Sequence, residues 1–120
     1  MSKTSVRKPK SACDPNHLEL TNAVFRGKWS LAILCALRDG PIRLGQLTRM
    51  IPGASKKMLL ENLKRLEATG IIVRKDLSQR VLHVEYDFDE HMRETICRLL
   101  ECFIAWAELC VKNEKASLDD

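Results

Sequence analysis

Several protein classes are excluded by what this chain of 120 residues lacks. It has no long apolar run: the longest stretches, such as "WSLAILCAL" (residues 29–37), fall far short of the ~20 residues a membrane helix needs. Its first fifteen residues, "MSKTSVRKPKSACDP", hold no apolar core of the kind a secretory signal carries, so the cytoplasm is the expected location, with no membrane partner. There is no CxxC pair. Five cysteines (Cys13, Cys35, Cys97, Cys102, Cys110) are an odd number with no framework spacing, and the three histidines show no ligand spacing with them. A disulfide framework and a structural zinc site are both excluded on that ground, and most of the cysteines read as small apolar residues. Nor is there a Ser/His/Asp set, a pair of catalytic carboxylates or a phosphate loop. "DFDEH" (87–91) reads as the start of a helix rather than a metal site. The expectation is a protein that is not an enzyme and uses neither metal nor cofactor.

What is present is one domain's worth of ordinary globular sequence, 45% apolar, 30% charged and only 5% aromatic. The net charge of +4 conceals an asymmetry. Residues 1–84 hold 16 Lys/Arg against 6 Asp/Glu, and residues 85–120 hold 4 against 10. A basic front and an acidic end imply one part that meets a polyanion and another that avoids it.

Periodicity and breakers divide the chain. Residues 1–12 form a basic tail, expected to be mobile, with Lys3, Arg7, Lys8 and Lys10 and no acid. A short helix is expected over 16–26, ended by Gly27. A second runs over 28–38, apolar through its middle and stopped by "DGP". After an extended piece at 42–44, a third helix spans 44–50 and ends at "IPG". The fourth is "PGASKKMLLENLKRLEATG" (52–70), capped by Ser55 and free of internal Gly or Pro. At about 100° per residue, Leu59, Leu63 and Leu66 share its inner face. "IIVRKD" and "RVLHVEYDF" are β-rich runs separated by "LSQ", which predicts a hairpin with its tip near 77–79. A long helix closes the chain over about 89–112, and 115–120 is a short tail.

Two helices joined by a tight turn and followed by a hairpin make a winged helix-turn-helix, mostly α with a small β-hairpin. In such a unit the second helix enters the DNA major groove and the hairpin lies against the backbone. The outward face of the fourth helix carries Lys57, Leu60, Glu61 and Lys64. Lysines there reach phosphates or guanine acceptors, Leu60 can contact a thymine methyl, and Glu61 can accept from cytosine. Ser55 and Lys56 lie at the helix start, placed for phosphates, and Arg65 completes the candidate set on this helix. Arg43 precedes the third helix, and the hairpin adds Arg74, Lys75, Gln79 and Arg80. Double-stranded DNA is the expected partner. A winged-helix module that binds protein and not DNA is the alternative, since the fold permits both.

In the last helix Met92, Ile96, Leu99, Phe103, Trp106 and Cys110 follow alternating steps of four and three, the pattern of a coiled-coil seam. Part of this seam must cover the protein's own core. The rest reads as a homodimer contact, because two-fold operators require two-fold proteins. Cys13 differs from the other cysteines. It lies in a polar segment beside a helix start, near Lys10 and His17, where positive potential favours the reactive thiolate and Asp14 opposes it.

Several motifs taken together carry a resemblance. "GKW" (27–29), "LRDGPIRLGQL" (37–47), "IPGASKKMLLENLKRLEATGII" (51–72) and "VEY" (84–86) resemble the HxlR-type branch of bacterial MarR-like winged-helix regulators. The likeness runs from Cys13 to about Leu109. It implies a dimeric transcription regulator, a repressor, built as one domain over 13–114, with N- and C-terminal helices forming the dimer interface and a roughly palindromic operator. It also implies that Cys13 senses oxidants or electrophiles; control by a small-molecule ligand is the alternative. Asn62 stands where the family commonly has a basic residue, Leu60 where it has a small hydroxyl residue, and the hairpin lacks the usual prolines. The operator sequence is therefore not carried over.

Overall fold

The computed structural model describes residues 13–119, so the basic tail expected over 1–12 lies outside the described residues. Asp14 starts the first helix, α1 (Pro15–Phe25): its carboxylate accepts from the Asn16 amide at 2.8 Å, and Pro15 fills the first turn, where no amide is needed. The second helix, α2 (Ser30–Ala36), tightens into one 3-10 turn at Leu37–Asp39. Gly40 then adopts φ of +134°, open to glycine and costly for other residues, and the chain breaks away. Ile33, Leu34 and Leu37 are fully buried, so the apolar run that predicted a central helix does occupy the core.

The strand β1 (Ile42–Arg43) leads directly into α3 (Leu44–Met50), followed by α4 (Lys56–Ala68). Leu59, Leu63 and Leu66 of α4 are all buried, each worth about 1.5–3 kcal/mol of transfer free energy. β2 (Ile72–Asp76) and β3 (Val84–Phe88) form the hairpin, and α5 (Arg93–Asp119) ends the described chain. The strands lie in the order β1-β3-β2, all antiparallel, with Ile42 opposite Tyr86, Arg43 opposite Glu85 and Arg74 opposite Tyr86. The extended piece before α3 is thus a third strand, pairing with the hairpin across some forty residues of sequence.

Three boundaries differ most from expectation. The hairpin connection is not "LSQ" but the seven residues 77–83. Asp76 and Ser78 close it: the Ser78 amide donates to the Asp76 carboxylate at 2.9 Å, the His83 amide donates to the Ser78 hydroxyl at 2.8 Å, and the Leu77 amide donates to the His83 carbonyl at 2.7 Å. These local bonds displace the ladder pairing that residues 80–83 would otherwise make. The Ser78 hydroxyl and amide also hold the Asp76 carboxyl below the usual carboxylate range. The last helix starts later than expected because Asp89–Met92 is a turn, with the His91 amide on the Asp89 carboxylate at 2.9 Å and the Met92 amide on the Asp89 carbonyl at 2.9 Å. No Gly or Pro follows Asp89, and the helix runs on to Asp119, through positions expected to be a tail.

The corner between α1 and α2 is tight. Gly27 has φ of +94°, and a Cβ there would meet the Arg65 guanidinium and lie 2.6 Å from the Asn62 carbonyl oxygen. Gly27→Ala should therefore lower stability by about 1–3 kcal/mol, read as a lower midpoint in urea unfolding. An unchanged midpoint would mean that the corner opens freely.

Candidate nucleic-acid interface

The turn between α3 and α4 is short and packed. The Ala54 amide donates to the Ile51 carbonyl at 3.1 Å, and Gly53 lies against the Trp29 ring, 3.0 Å from where its Cβ would be. "GKW" and "IPG", far apart in sequence, are thereby two sides of one contact. Ser55 caps α4, its hydroxyl accepting from the Met58 amide at 3.1 Å.

With the leucines inside, Lys56, Lys57, Glu61 and Lys64 stand exposed on the outer side of α4, as periodicity predicts. Leu60 is only half-exposed. Together with Lys56 it lines a cleft of about 460 Å³ between α4 and the hairpin. Arg65 is tied inward: its Nη1 donates to the Arg26 carbonyl at 2.7 Å, which turns it toward the Gly27 corner. Asn62 is buried beside it. Its amide nitrogen donates to the Met58 carbonyl at 2.8 Å, and its oxygen lies 3.0 Å from the Ser30 hydroxyl. Ser30 is itself 2.8 Å from the Arg26 carbonyl and has one proton to give between the two acceptors. Sequence reasoning missed this clasp; the signal was a polar residue at a core-facing position between Leu59 and Leu66.

The hairpin divides its cations. Opposed residues of antiparallel strands share a face, so Arg74 lies with Tyr86, while Lys75 lies on the other face with Glu85 and near Asp87. The Lys75 ammonium is 4.0 Å from the Asp87 carboxylate. Arg74 lines the cleft beside α4; Lys75 does not. Arg43 reaches across from β1, its Nη2 donating to the Leu82 carbonyl at 3.0 Å, so it fastens the hairpin tip to the start of α3. Gln79 and Arg80 are exposed in the 77–83 connection.

Asp87, which the reading of "DFDEH" put at a helix start, lies instead in β3, where it is buried and accepts from the Arg93 guanidinium at the first turn of α5 and from the Phe88 amide at 2.8 Å. The Arg93 guanidinium also stacks over the Phe88 ring at 5.5 Å.

The seam on α5 is shared. Ile96 is buried in the domain's own core with Leu100, which corrects its place in an outward seam. Phe103 is half-buried, its ring edge-on to Phe25 at 5.5 Å. Met92, Leu99 and Trp106 are exposed, Trp106 by 64%, and Cys110 is half-buried. Cys13 is exposed, directly ahead of the Asp14 cap. Among the described residues no group of His, Cys, Asp and Glu is arranged to hold a metal ion, and no helix is long and apolar enough to cross a membrane.

A capped, lysine-bearing helix on a helix-turn-helix, flanked by a three-stranded wing, defines a winged helix-turn-helix transcription regulator. The model of the HxlR-like helix-turn-helix family matches residues 24–115, and the chain belongs to that family. It is 36% identical over 98 residues to the uncharacterised HTH-type transcriptional regulator YkvN of Bacillus subtilis (strain 168), covering 82% of each chain. Among solved structures it is similar to the HTH-type transcriptional regulator ytcD, at 35% identity and TM-score 0.72 over 79% of this chain and 96% of that one. It is also similar to the redox regulator HypR in its reduced form, at 32% identity and TM-score 0.69 over 77% and 90% of the two chains.

The geometry separates two neighbouring cations. Lys64→Ala should reduce the slope of log affinity for duplex DNA against log salt by about one, with stability unchanged. Arg65→Ala should instead lower the unfolding midpoint and leave that slope unaltered. A salt slope that responds to Arg65 and not to Lys64 would reverse the assignment.

Proposed function

We propose that the chain acts as a homodimeric repressor that binds a two-fold operator, with α4 in the major groove and the hairpin against the backbone. Cys13 is the group through which oxidants or electrophiles alter its DNA affinity. The observation that carries the DNA part is the division of α4: three leucines and Asn62 are buried, and Lys56, Lys57, Glu61 and Lys64 stand out from the domain together. Arg43, Arg74, Gln79 and Arg80 supply further contacts from the wing side, and Ser55 brings the positive end of the helix to the same place. Lys75 and Arg65 are the weakest members of the candidate set, since Lys75 lies on the far face of the hairpin near Asp87 and Arg65 is turned inward to the Arg26 carbonyl. Leu60 meets a thymine methyl only at the rim of its cleft.

The dimer reading rests on the apolar side chains exposed on α5. Leu99, Ile104, Trp106 and Leu109 lie 39–64% exposed, and Leu18 and Leu20 on α1 are bare as well. So much apolar area is what an interface covers. Glu94, Glu101 and Glu108 keep this end of the molecule unattractive to DNA. The thiol reading is supported by the exposure of Cys13 at a helix start and by the similarity to a protein described as a redox regulator.

A selection for bound DNA sequences, run with reduced and diamide-treated protein, tests these claims together. The expected result is a pseudo-palindromic site, steep loss of binding with added salt, and altered affinity after oxidation. Failure to bind any duplex at low salt would favour a protein-interaction module. Trp106→Glu should yield a monomer in sedimentation equilibrium and weaken operator binding about tenfold or more. Cys13→Ser should abolish the response to diamide; a response that survives would move the sensor to Cys97, Cys102 or Cys110.

A further inference from the structure

The tip of the hairpin is apolar, although its neighbours are cations. Val81 and Leu82 are 75% and 76% exposed, more than any other large apolar side chain among the described residues. Leu77, on the opposite limb, is exposed as well. The tip is also held in shape: the Arg43 guanidinium donates to the Leu82 carbonyl, and the bonds of Ser78, Leu77 and His83 tie the two limbs together. The backbone that carries these side chains therefore has little freedom left to lose on binding. Three bare apolar side chains on a fixed projection, with nothing of the domain over them, mark a contact surface.

The chemistry around the tip selects the partner. No acid occurs over residues 77–83, Arg80 adjoins Val81, and Arg43 and Arg74 line the same cleft as Leu82. That suits a polyanion whose apolar surface lies behind its charges, and in duplex DNA the phosphates rim a groove of sugar walls and base faces. With α4 in the major groove, the groove left to the tip is the minor one. A wing beside DNA comes with the fold; an apolar tip does not. We propose that Val81 and Leu82 form a wedge that enters the minor groove and partly unstacks one base step, kinking the duplex away from the wing. The wedge rests on the DNA-binding reading above. Insertion costs least at the flexible pyrimidine–purine steps, TA and CA/TG. It therefore gives the protein a sequence preference beside the bases that α4 reads, without a hydrogen bond to any base.

The test runs the reduced wild-type chain and the double variant Val81→Ser, Leu82→Ser through the same selection for bound DNA. Wild type should enrich a TA or CA/TG step at a fixed spacing outside the sequence that α4 reads. The variant should recover the inner sequence and lose the flanking step. Potassium permanganate, which oxidises unstacked thymines, should mark that step in a duplex carrying the recovered site only when wild type is bound. The variant should bind this duplex about tenfold more weakly, with the salt slope and the unfolding midpoint unchanged, because it removes no cation and both side chains are bare. Arg80→Ala, in contrast, should lower the slope. A wild-type selection with no flanking step, thymines that stay unreactive, or a variant that enriches the same step would each overturn the wedge and leave the DNA-binding reading standing. A wild-type chain that binds no duplex at low salt would bring down both. Capture of that chain by phosphatidylglycerol vesicles, lost in the double variant, would then assign the tip to a lipid surface and overturn the wedge on that ground as well.

Discussion

Everything on the outer side of this domain depends on how α4 is seated at the Gly27 corner. Leu59, Leu63 and Leu66 hold the helix down, but apolar burial has no direction and tolerates rotation about the helix axis. Asn62 does not. Its bond with the Ser30 hydroxyl crosses to α2 and is made at one rotation only, while the bond to the Met58 carbonyl within α4 fixes the amide's own orientation; a buried amide left unpaired costs about 1–3 kcal/mol. A one-residue rotation would swing Lys57 and Lys64 by about 100°. The leucines therefore supply the energy of docking, and the polar clasp supplies its angle. Gly27 is what allows the two sides to come so close.

The wing obeys a second constraint, that β3 is the central strand. Tyr86, Asp87 and Phe88 are buried in succession, which an edge strand with one wet face would not allow. With β3 fixed between its neighbours, strand alternation alone assigns Arg74 to the α4 side and Lys75 to the other. Arg43 then closes the triangle between β1, the start of α3 and the hairpin tip. The concave space by Leu60 follows from that arrangement, bounded by β1, α3, α4 and the hairpin.

What was legible in the sequence was whatever local chemistry decides. The bounds of α3, and the start of α4 at its Ser55 cap, followed from Ser55, from the glycines at 53 and 70 and from a leucine period that nothing contradicts; α4 itself ends at Ala68, two residues short of Gly70. What depended on distant partners was not legible. The 77–83 connection is set by Ser78 bonding to its neighbours and by Arg43 holding Leu82, so counting alternation across "LSQ" found where β2 ends but put the tip and the start of β3 too early. Arg65 and Lys75 looked like two more surface cations because their partners, the Arg26 carbonyl and Asp87, are 39 and 12 residues away. Ile96 fits a heptad by spacing, yet the core claims it, since a period of 3.5 cannot say which of two apolar surfaces a side chain meets. The location of Leu60 is the clearest case: the wheel puts it near the lysines, and only the wing explains why it is half-buried.

The same limit explains why the burial of Asp87 escaped notice. A carboxylate in an alternating strand reads as solvent-facing, and here it is buried against the first turn of α5 with Arg93. Such a pair adds little net stability over an apolar pair of the same shape, whereas removing one partner costs about 3–5 kcal/mol. Its consequence is geometric. α5 is 27 residues, about 40 Å, and the domain's core grips it near its start through Ile96, Cys97 and Leu100, with Phe103 resting on Phe25. A helix held so near its start could pivot at its far end. The Asp87–Arg93 pair, backed by the stacking of Arg93 on Phe88, removes that freedom at the point where α5 leaves the sheet. The direction in which Trp106 and Leu109 project is thereby set by the same strand that positions Arg74. One strand, β3, thus orients both the wing and the bare apolar stripe, and a change at Asp87 must be felt at both.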